Sequence, residues 1–259
     1  MRGFYYIEMY KLLKRKDVFW SLLISFSVPL LLGLLILTGS EIVQIGGEKF
    51  SAFQYAAMMF EFLKFLFFFY FIFIIFAAST FSGELEKGNI NLLLIRAKDR
   101  KEVIISKYIA LITILLIFLV VITFSGIISY YIFLYNTKFA THEFLGKDYL
   151  KFLYTITLSV FEIILIITIT MLLSLFFNNY KTILLSIGTI ILLKVLENVK
   201  EIKRFIPTYL ANMDAWMSTA KTEHELFIKV IQNIGFLSLY ILIIFVIAIR
   251  YFYEMDIKN

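Results

Sequence analysis

The side chains best suited to specific interactions lie in a charged stretch between two long apolar segments. The candidate residues are Glu84, Glu86, Gly88, Leu92, Leu93 and Arg100. Carboxylates near the start of a helix stabilise its N-terminus, and glycine permits a sharp change of backbone direction. The pattern predicts a short amphipathic helix followed by a turn, with two acids suited to ionic contact or helix capping. A solvated loop carrying positive charges is the alternative interpretation.

A second candidate group surrounds the one acid that lies deep in an apolar run. Glu162 interrupts residues 152–180, which carry no other charge. Inserting an ionised group at such depth costs about 3 kcal/mol, so its carboxylate is expected to face protein or water. Thr155, Ser159 and Glu162 share one face of a helix in this run.

The sequence does not bring together the residue types that catalysis or metal binding requires. The chain has no cysteine, and its two histidines, His142 and His224, fall in loops far from Glu162. No His-x-x-x-His or Gly-x-Ser-x-Gly arrangement occurs. We therefore assign no catalytic residue and no metal site, and an intramembrane enzyme is disfavoured.

Six apolar stretches position these residues, and each is a candidate membrane-spanning helix. The stretches are 18–40, 65–83, 108–137, 152–180, 182–193 and 230–249. A bilayer core about 30 Å thick requires roughly 20 helical residues, and all but 182–193 are long enough or nearly so. That stretch is counted as a span because Lys194 can snorkel and the helix can continue to Leu196. A re-entrant segment is the alternative.

The composition supports the same class of protein. Hydrophobic residues make up 61% of 259 residues, more than a soluble domain of this size can bury. We predict an all-α membrane fold with residues 1–259 in a single transmembrane domain. The net charge of +6 does not indicate nucleic-acid binding, because the basic residues sit at membrane boundaries, where anionic lipid attracts them.

Residues 1–17 are predicted to form an interfacial helix, because Tyr5, Met9 and Leu12 recur at helical spacing. Five basic residues lie in this segment and six in residues 84–107, whereas residues 41–61 carry only Lys49. Basic residues accumulate on the cytoplasmic side. The bias predicts that both termini are cytoplasmic and that residues 197–226 are external.

The charged stretch also carries a resemblance to a known family. The residues that match its pattern are Gly83, Glu84, Glu86, Gly88, Ile90, Leu92, Leu93, Arg100 and Lys107. At these positions the chain resembles the permease subunits of ABC-2 type transporters, with a type V exporter-like fold. Asn89 replaces the family's usual threonine, and Lys98 and Asp99 replace its frequent proline.

Three further segments extend the resemblance along the chain. EMYKLLKRKDVF, residues 8–19, is similar to the family's N-terminal helix. SLFFNNYKTILLSIG, residues 174–188, resembles its polar break between spans four and five, and FYEMDI, residues 252–257, resembles its C-terminal signature. The resemblance also favours short external helices within residues 197–226 that dip back into the membrane.

The resemblance implies a transport role and a set of partners. The chain would be the permease subunit of an ATP-binding cassette exporter in the bacterial plasma membrane, paired with a second permease copy or a paralogue. Residues 84–101 would form the coupling helix that docks on a separate ATPase subunit. The chain lacks a G-x-x-x-x-G-K-[ST] loop, so the partner would bind ATP and Mg²⁺ while this chain binds no cofactor. The substrate class would be hydrophobic or amphipathic: a peptide, antibiotic, lipid or drug.

The resemblance also implies roles for the candidate residues. Glu84 and Glu86 are predicted to transmit force, either by contact with the ATPase or by fixing the coupling helix to the interfacial helix. The face of Thr155, Ser159 and Glu162 is a candidate substrate path or dimer seam, with a structural hydrogen bond as the alternative. An ion-coupled secondary transporter is the alternative function, since Glu162 is a midplane acid.

Overall fold

The computed structural model describes residues 2–39, 49–86, 88, 99–220 and 222–254. These residues form helices and connecting segments, with an isolated bridge between Phe50 and Ala140. The helices are α1 (Arg2–Lys14), α2 (Lys16–Leu37), α3 (Ala52–Phe65), α4 (Phe68–Glu86), α5 (Arg100–Ser129), α6 (Tyr149–Ser174), α7 (Asn179–Leu196), α8 (Pro207–Ala211), α9 (Met213–Met217) and α10 (Glu223–Glu254). A π-helical turn, Tyr130–Leu134, continues α5, and a short 3₁₀ helix, Lys203–Phe205, precedes α8.

Six of these helices are long and apolar enough to cross a membrane. They are α2, α4, α5 with its π turn, α6, α7 and α10. The predictions of a helical fold and of six helices suited to span a membrane are therefore confirmed for the described residues. The short run 182–193 lies within α7, whose 18 residues from Asn179 to Leu196 supply the missing length.

Helix α3 was not predicted, because its 14 residues are too short to span a bilayer and include Glu61 and Lys64. It begins with a capping box, in which the Ser51 hydroxyl accepts a hydrogen bond from the Gln54 amide and Gln54 Oε1 accepts one from the Ser51 amide. Its end is marked by Phe67, which has a positive φ of 60°. Most of its apolar side chains are buried within the fold.

The chain divides into two compact units. The first unit contains Met1–Leu12, Phe69–Thr113 and Thr157–Asn259, and the second contains Leu13–Phe68 and Ile114–Ile156. The division falls within continuous helices, so α1, α4, α5 and α6 each contribute residues to both units.

The second unit is organised around the proline in α2. Two hydroxyl groups donate to the Pro29 carbonyl, that of Tyr55 at 2.8 Å and that of Ser129 at 2.7 Å. Burial raises the pKa of Tyr55 to about 12 despite its hydrogen bond with Ser129, so the hydroxyl stays a neutral donor. Helices α3 and α5 approach closely at Gly126, where an added Cβ would lie 2.7 Å from the Ala56 Cα.

Several helix termini lie close together in the first unit. Contacts between α1, α4 and α5 involve Lys11, Glu84 and Lys107 and are described below. At the same end, Lys101 at the start of α5 lies 5.1 Å from the Tyr253 ring centroid of α10. The ring of Phe176, between α6 and α7, lies 4.2 Å from that of Tyr251. The contacts of α1 with α4 and α5 therefore lie at the same end of this unit as the C-terminal end of α10.

Residues 203–217 fold against α7 and α10 in the first unit. The Thr208 hydroxyl donates to the Leu193 carbonyl at 3.2 Å. The Leu210 carbonyl accepts from Trp216 Nε1 at 3.2 Å and from Asn233 Nδ2 at 3.3 Å. The predicted external segment thus contains short helices, while its re-entry into a membrane stays a prediction.

Candidate functional site

Four charged side chains from three helices form a closed ion-pair cluster in the first unit. Glu8 and Lys11 come from α1, Glu84 from α4 and Lys107 from α5. Lys107 Nζ lies 2.9 Å from Glu8 Oε2 and 2.5 Å from Glu84 Oε2. Lys11 Nζ lies 3.0 Å from Oε1 of both Glu8 and Glu84. Each ammonium therefore bridges both carboxylates, and the four charges cancel; we call these residues the quartet.

The two lysines of the quartet differ in their exposure to solvent. The Lys107 side chain is 0% exposed, whereas that of Lys11 is 40% exposed. Burial acts to lower the pKa of Lys11, but the hydrogen bonds and negative charges of Glu8 and Glu84 outweigh it, and the net pKa is raised. Lys11 therefore stays charged at the solvent edge, and Lys107 relies on the two carboxylates to offset the loss of its hydration.

The local sequence explains how α1 reaches this position. Glu8 and Lys11 are three residues apart, so they lie on one face of α1. Leu12 is buried beside them, and one turn earlier the Tyr5 hydroxyl donates to Thr113 Oγ1 on α5 at 3.2 Å. Polar and apolar contacts on the same face thus hold α1 against the rest of the first unit.

A second acid at the end of α4 caps another helix. Glu86 Oε1 accepts a hydrogen bond from the backbone amide of Asn179 at 2.7 Å, at the first position of α7. The Asn178 side chain accepts from the Lys181 amide at 3.0 Å, so it caps the same turn. A carboxylate is favourable beside the positive end of a helix dipole. Glu86 therefore joins the end of α4 to the start of α7.

Glu162 lies against a lysine of the neighbouring helix. Lys194 Nζ of α7 lies 3.3 Å from Glu162 Oε1 and 3.4 Å from Glu197 Oε2. Glu162 is buried within the protein, as predicted from the cost of placing an ionised group in contact with lipid. Ser159 is also buried. Thr155 donates to the Lys151 carbonyl at 3.0 Å and belongs to the second unit. The prediction that Lys194 snorkels did not anticipate that its ammonium lies between two carboxylates.

Comparison with known proteins identifies a family for this chain. A family model described as "Protein of unknown function (DUF2705)" matches residues 21–258. The chain belongs to the DUF2705 family. No curated protein and no solved structure matches it. The matched region contains Glu84 and Lys107 of the quartet, whereas Glu8 and Lys11 precede it.

The structure of this DUF2705 protein differs from the sequence prediction around the charged stretch. Glu84 and Glu86 occupy the last turn of α4, whereas they were predicted to start a separate helix. Carboxylates near a helix C-terminus are unfavourable, and the lysines of the quartet and the α7 N-terminus offset that cost. Gly88 has a positive φ of 67°, which glycine tolerates, and Arg100 is the first residue of α5. Leu92 and Leu93 lie outside the described residues.

Glu84 of the DUF2705 protein was predicted to contact either the ATPase or the interfacial helix, but its three partners in the quartet were not predicted. Two signals were available: the helical spacing of Glu8 and Lys11, and the single charge of Lys107 beside a long apolar run. Neither signal states which helices pack together. The contacts of the quartet follow only from the packing of α1, α4 and α5 against one another.

The capping role of Glu86 can be measured in the DUF2705 protein. Glu86→Ala removes the acceptor from the α7 amide and should cost about 1 kcal/mol, which corresponds to a decrease of about 2–4 °C in Tm. Glu86→Gln keeps a hydrogen-bond acceptor, so its Tm should decrease by less. The measurement is thermal unfolding of the detergent-purified protein. Glu254→Ala is the control, since Glu254 makes an exposed pair with Arg250. Equal Tm values for the two alanine variants would contradict the capping role.

Proposed function

We propose that this protein is the transmembrane permease subunit of an ATP-binding cassette exporter. It would move a hydrophobic or amphipathic substrate out of a bacterial cell with ATP hydrolysed by a separate subunit. The quartet is the observation that carries the proposal. It fastens α1 to the end of α4 and to the second turn of α5, the two helices on either side of residues 87–99. This is the arrangement that a coupling segment requires if its movement is to reach the spanning helices.

The mechanical argument follows from the stiffness of these contacts. A buried, doubly bridged ion pair strongly resists separation, because pulling one charge away leaves the other uncompensated. A force applied to residues 87–99 would therefore move α1, α4 and α5 together. Glu86 would pass the same movement to α7 through its contact with Asn179. Rigid-body movement of helices against one another is a common route to alternating access.

The sequence indicates that a separate subunit would bind and hydrolyse ATP. Because the chain has no phosphate-binding loop, the proposed partner is an ATPase subunit that binds ATP and Mg²⁺. A second permease copy or a paralogue would complete the transport path. In this proposal both termini and residues 87–99 face the cytoplasm, which agrees with the charge bias and with the helix ends gathered in the first unit.

The first experiment is purification of the tagged protein in mild detergent from the membranes of its native host, followed by mass spectrometry of co-purifying proteins. We expect one ATPase with a phosphate-binding loop in stoichiometric amount. Leu92→Asp combined with Leu93→Asp should abolish its recovery, because the resemblance places these leucines in the docking segment. Glu84→Lys is a poor probe, since a third lysine in the quartet would disturb folding.

The matched control is Phe144→Asp combined with Leu145→Asp. These neighbouring apolar side chains are exposed in the loop before α6, between the third and fourth predicted spans. This loop is external if both termini are cytoplasmic. The control variant should retain the ATPase at the wild-type level, and both variants should keep the wild-type elution volume in size-exclusion chromatography. Recovery of the wild-type protein without any ATPase would overturn the proposal.

An ion-coupled secondary transporter is the second candidate, and one observation favours it. The buried Glu162 pairs with the partly exposed Lys194 between two candidate membrane-spanning helices, and ionisable groups inside such helices often mark ion pathways. If no ATPase is recovered, transport driven by a proton or sodium gradient in liposomes containing this chain alone becomes the expected result. Glu162→Gln should then abolish that transport.

A further inference from the structure

A small cleft lies between the start of α5 and the last two turns of α10. Its volume is about 240 Å³, and it is lined by Lys101, Val246, Ile249, Arg250 and Tyr253. Both helices are candidate membrane spans, and these residues lie close to the helix ends. The cleft therefore sits where the apolar surface of the spans gives way to charged residues.

The charges around the cleft favour an anion. Arg250 Nε donates to Glu254 Oε1 at 3.1 Å, but the Arg250 side chain is 81% exposed and its guanidinium has further donors. Lys101 Nζ lies over the Tyr253 ring, and within the described residues it has no carboxylate partner. The cleft lining carries two cations and no carboxylate. Glu254 pairs with Arg250 from outside the lining, and Asp99 Oδ1 accepts from the backbone amide of Lys101 at 2.9 Å rather than from its ammonium. A phosphate group in the cleft would therefore meet two cationic donors.

The surface above the cleft indicates that the anion carries an acyl chain. Leu239, Leu242 and Val246 follow one face of α10 at helical spacing towards Ile249 and Tyr253, and each of the three is more than half exposed. A soluble anion would leave this apolar stripe uncovered. A lipid would lay its chain on the stripe with its phosphate at Lys101 and Arg250, and the Tyr253 ring would sit at headgroup level.

We propose that this cleft is a binding site for a phospholipid with a net negative headgroup. The lipid phosphate would bridge the start of α5 and the end of α10 through Lys101 and Arg250, while an acyl chain covers the stripe from Val246 to Leu239. An anionic headgroup is preferred to a zwitterionic one, because a choline group would add a positive charge beside two cations. The site is independent of the transport proposal, since it requires neither an ATPase nor a substrate.

The test is a lipid titration of the purified full-length protein, followed by native mass spectrometry and thermal unfolding. The probes are phosphatidylglycerol, phosphatidylcholine and inorganic phosphate. Wild-type protein should retain phosphatidylglycerol in preference to phosphatidylcholine. Lys101→Gln combined with Arg250→Gln should weaken phosphatidylglycerol binding by about tenfold or more, since each basic residue near a membrane contributes appreciably to anionic lipid affinity. Both substituted side chains are exposed, so the fold should be kept.

The control replaces two other exposed boundary lysines, Lys16→Gln and Lys181→Gln, and removes the same total charge. It should bind phosphatidylglycerol with wild-type affinity. Equal loss of affinity in the control and the Lys101/Arg250 variant would show a general charge effect and overturn the specific site. Equal retention of the two lipids would overturn the anionic preference. Displacement of phosphatidylglycerol by millimolar inorganic phosphate would show that the acyl chain contributes nothing, and would overturn the lipid assignment.

Discussion

Lys107→Met should destabilise the protein far more than the same substitution at Lys11, the other lysine of the quartet. Methionine has a similar length but no charge, so Glu8 and Glu84 would be left bridged only by Lys11. Both carboxylates are largely buried, and breaking a buried ion pair by removing one partner typically costs 3–5 kcal/mol, so we expect a loss of about that size. Thermal unfolding in detergent measures the loss, and accelerated proteolysis of α1 should accompany it.

Lys11→Met is the matched control, because it removes the same charge from the solvent edge of the same cluster. The Lys11 side chain is 40% exposed, so its ammonium keeps much of its hydration and solvent screens its contacts with the two carboxylates. Its effect should be well below that of Lys107→Met. Similar losses for the two variants would show that burial does not set the strength of the cluster. Replacing Glu8, Glu84 and Lys107 together by neutral residues should recover much of the stability, since no buried charge is then left uncompensated.

The stability that the charge of Lys11 contributes should decrease at high pH. The folded-state pKa of Lys11 is raised above its ordinary value of 10.5, so folding favours the protonated form. The stability that its charge contributes is fully present below pH 10.5 and is lost as the pH rises through the folded pKa. The difference in stability between wild type and Lys11→Met should therefore stay constant across neutral pH and decrease only in strongly alkaline solution.

Gly126→Val should cause the second large loss, through steric overlap in the second unit. A Cβ at Gly126 would lie 2.7 Å from the Ala56 Cα and 2.9 Å from its Cβ. The nearest atom belongs to the backbone, so α3 and α5 would have to move apart, and overpacking of this kind costs about 1–3 kcal/mol or more. Gly126→Ala should already cause part of this loss of stability. The measurement is the shift in Tm together with the yield of monodisperse protein.

Gly235→Ala and Gly188→Ala are the controls for this prediction. A Cβ at either position meets nothing within 4 Å, and both residues lie inside spanning helices, α10 and α7. Alanine has the higher helix propensity by about 1 kcal/mol, so these variants should be neutral or more stable than wild type. A Gly126→Ala variant that behaves like the controls would contradict the close approach of α3 and α5.

The membrane class of the protein could be predicted from sequence, because transfer of an apolar side chain into lipid depends on that residue and its near neighbours. Each of the six predicted spans overlaps one of α2, α4, α5, α6, α7 and α10, although α5 begins at Arg100 rather than at residue 108 and α10 begins at Glu223 rather than at residue 230. Glu84, Glu86 and Glu162 were selected as candidate residues because each interrupts or ends an apolar run, and their roles in transport stay predictions. The transport role that the resemblance implies stays a proposal.

Tertiary structure alone decided which charges meet. Glu8 and Lys107 are separated by 99 residues, and Glu86 and Asn179 by 93, so no local periodicity relates them. Helix α3 was missed for a related reason: its stability comes from burial between neighbouring helices, which a hydropathy window does not register. Hydrophobic length determines that a helix inserts in a membrane, and the packing of inserted helices determines which of their few polar groups can pair, because each must find a partner away from water.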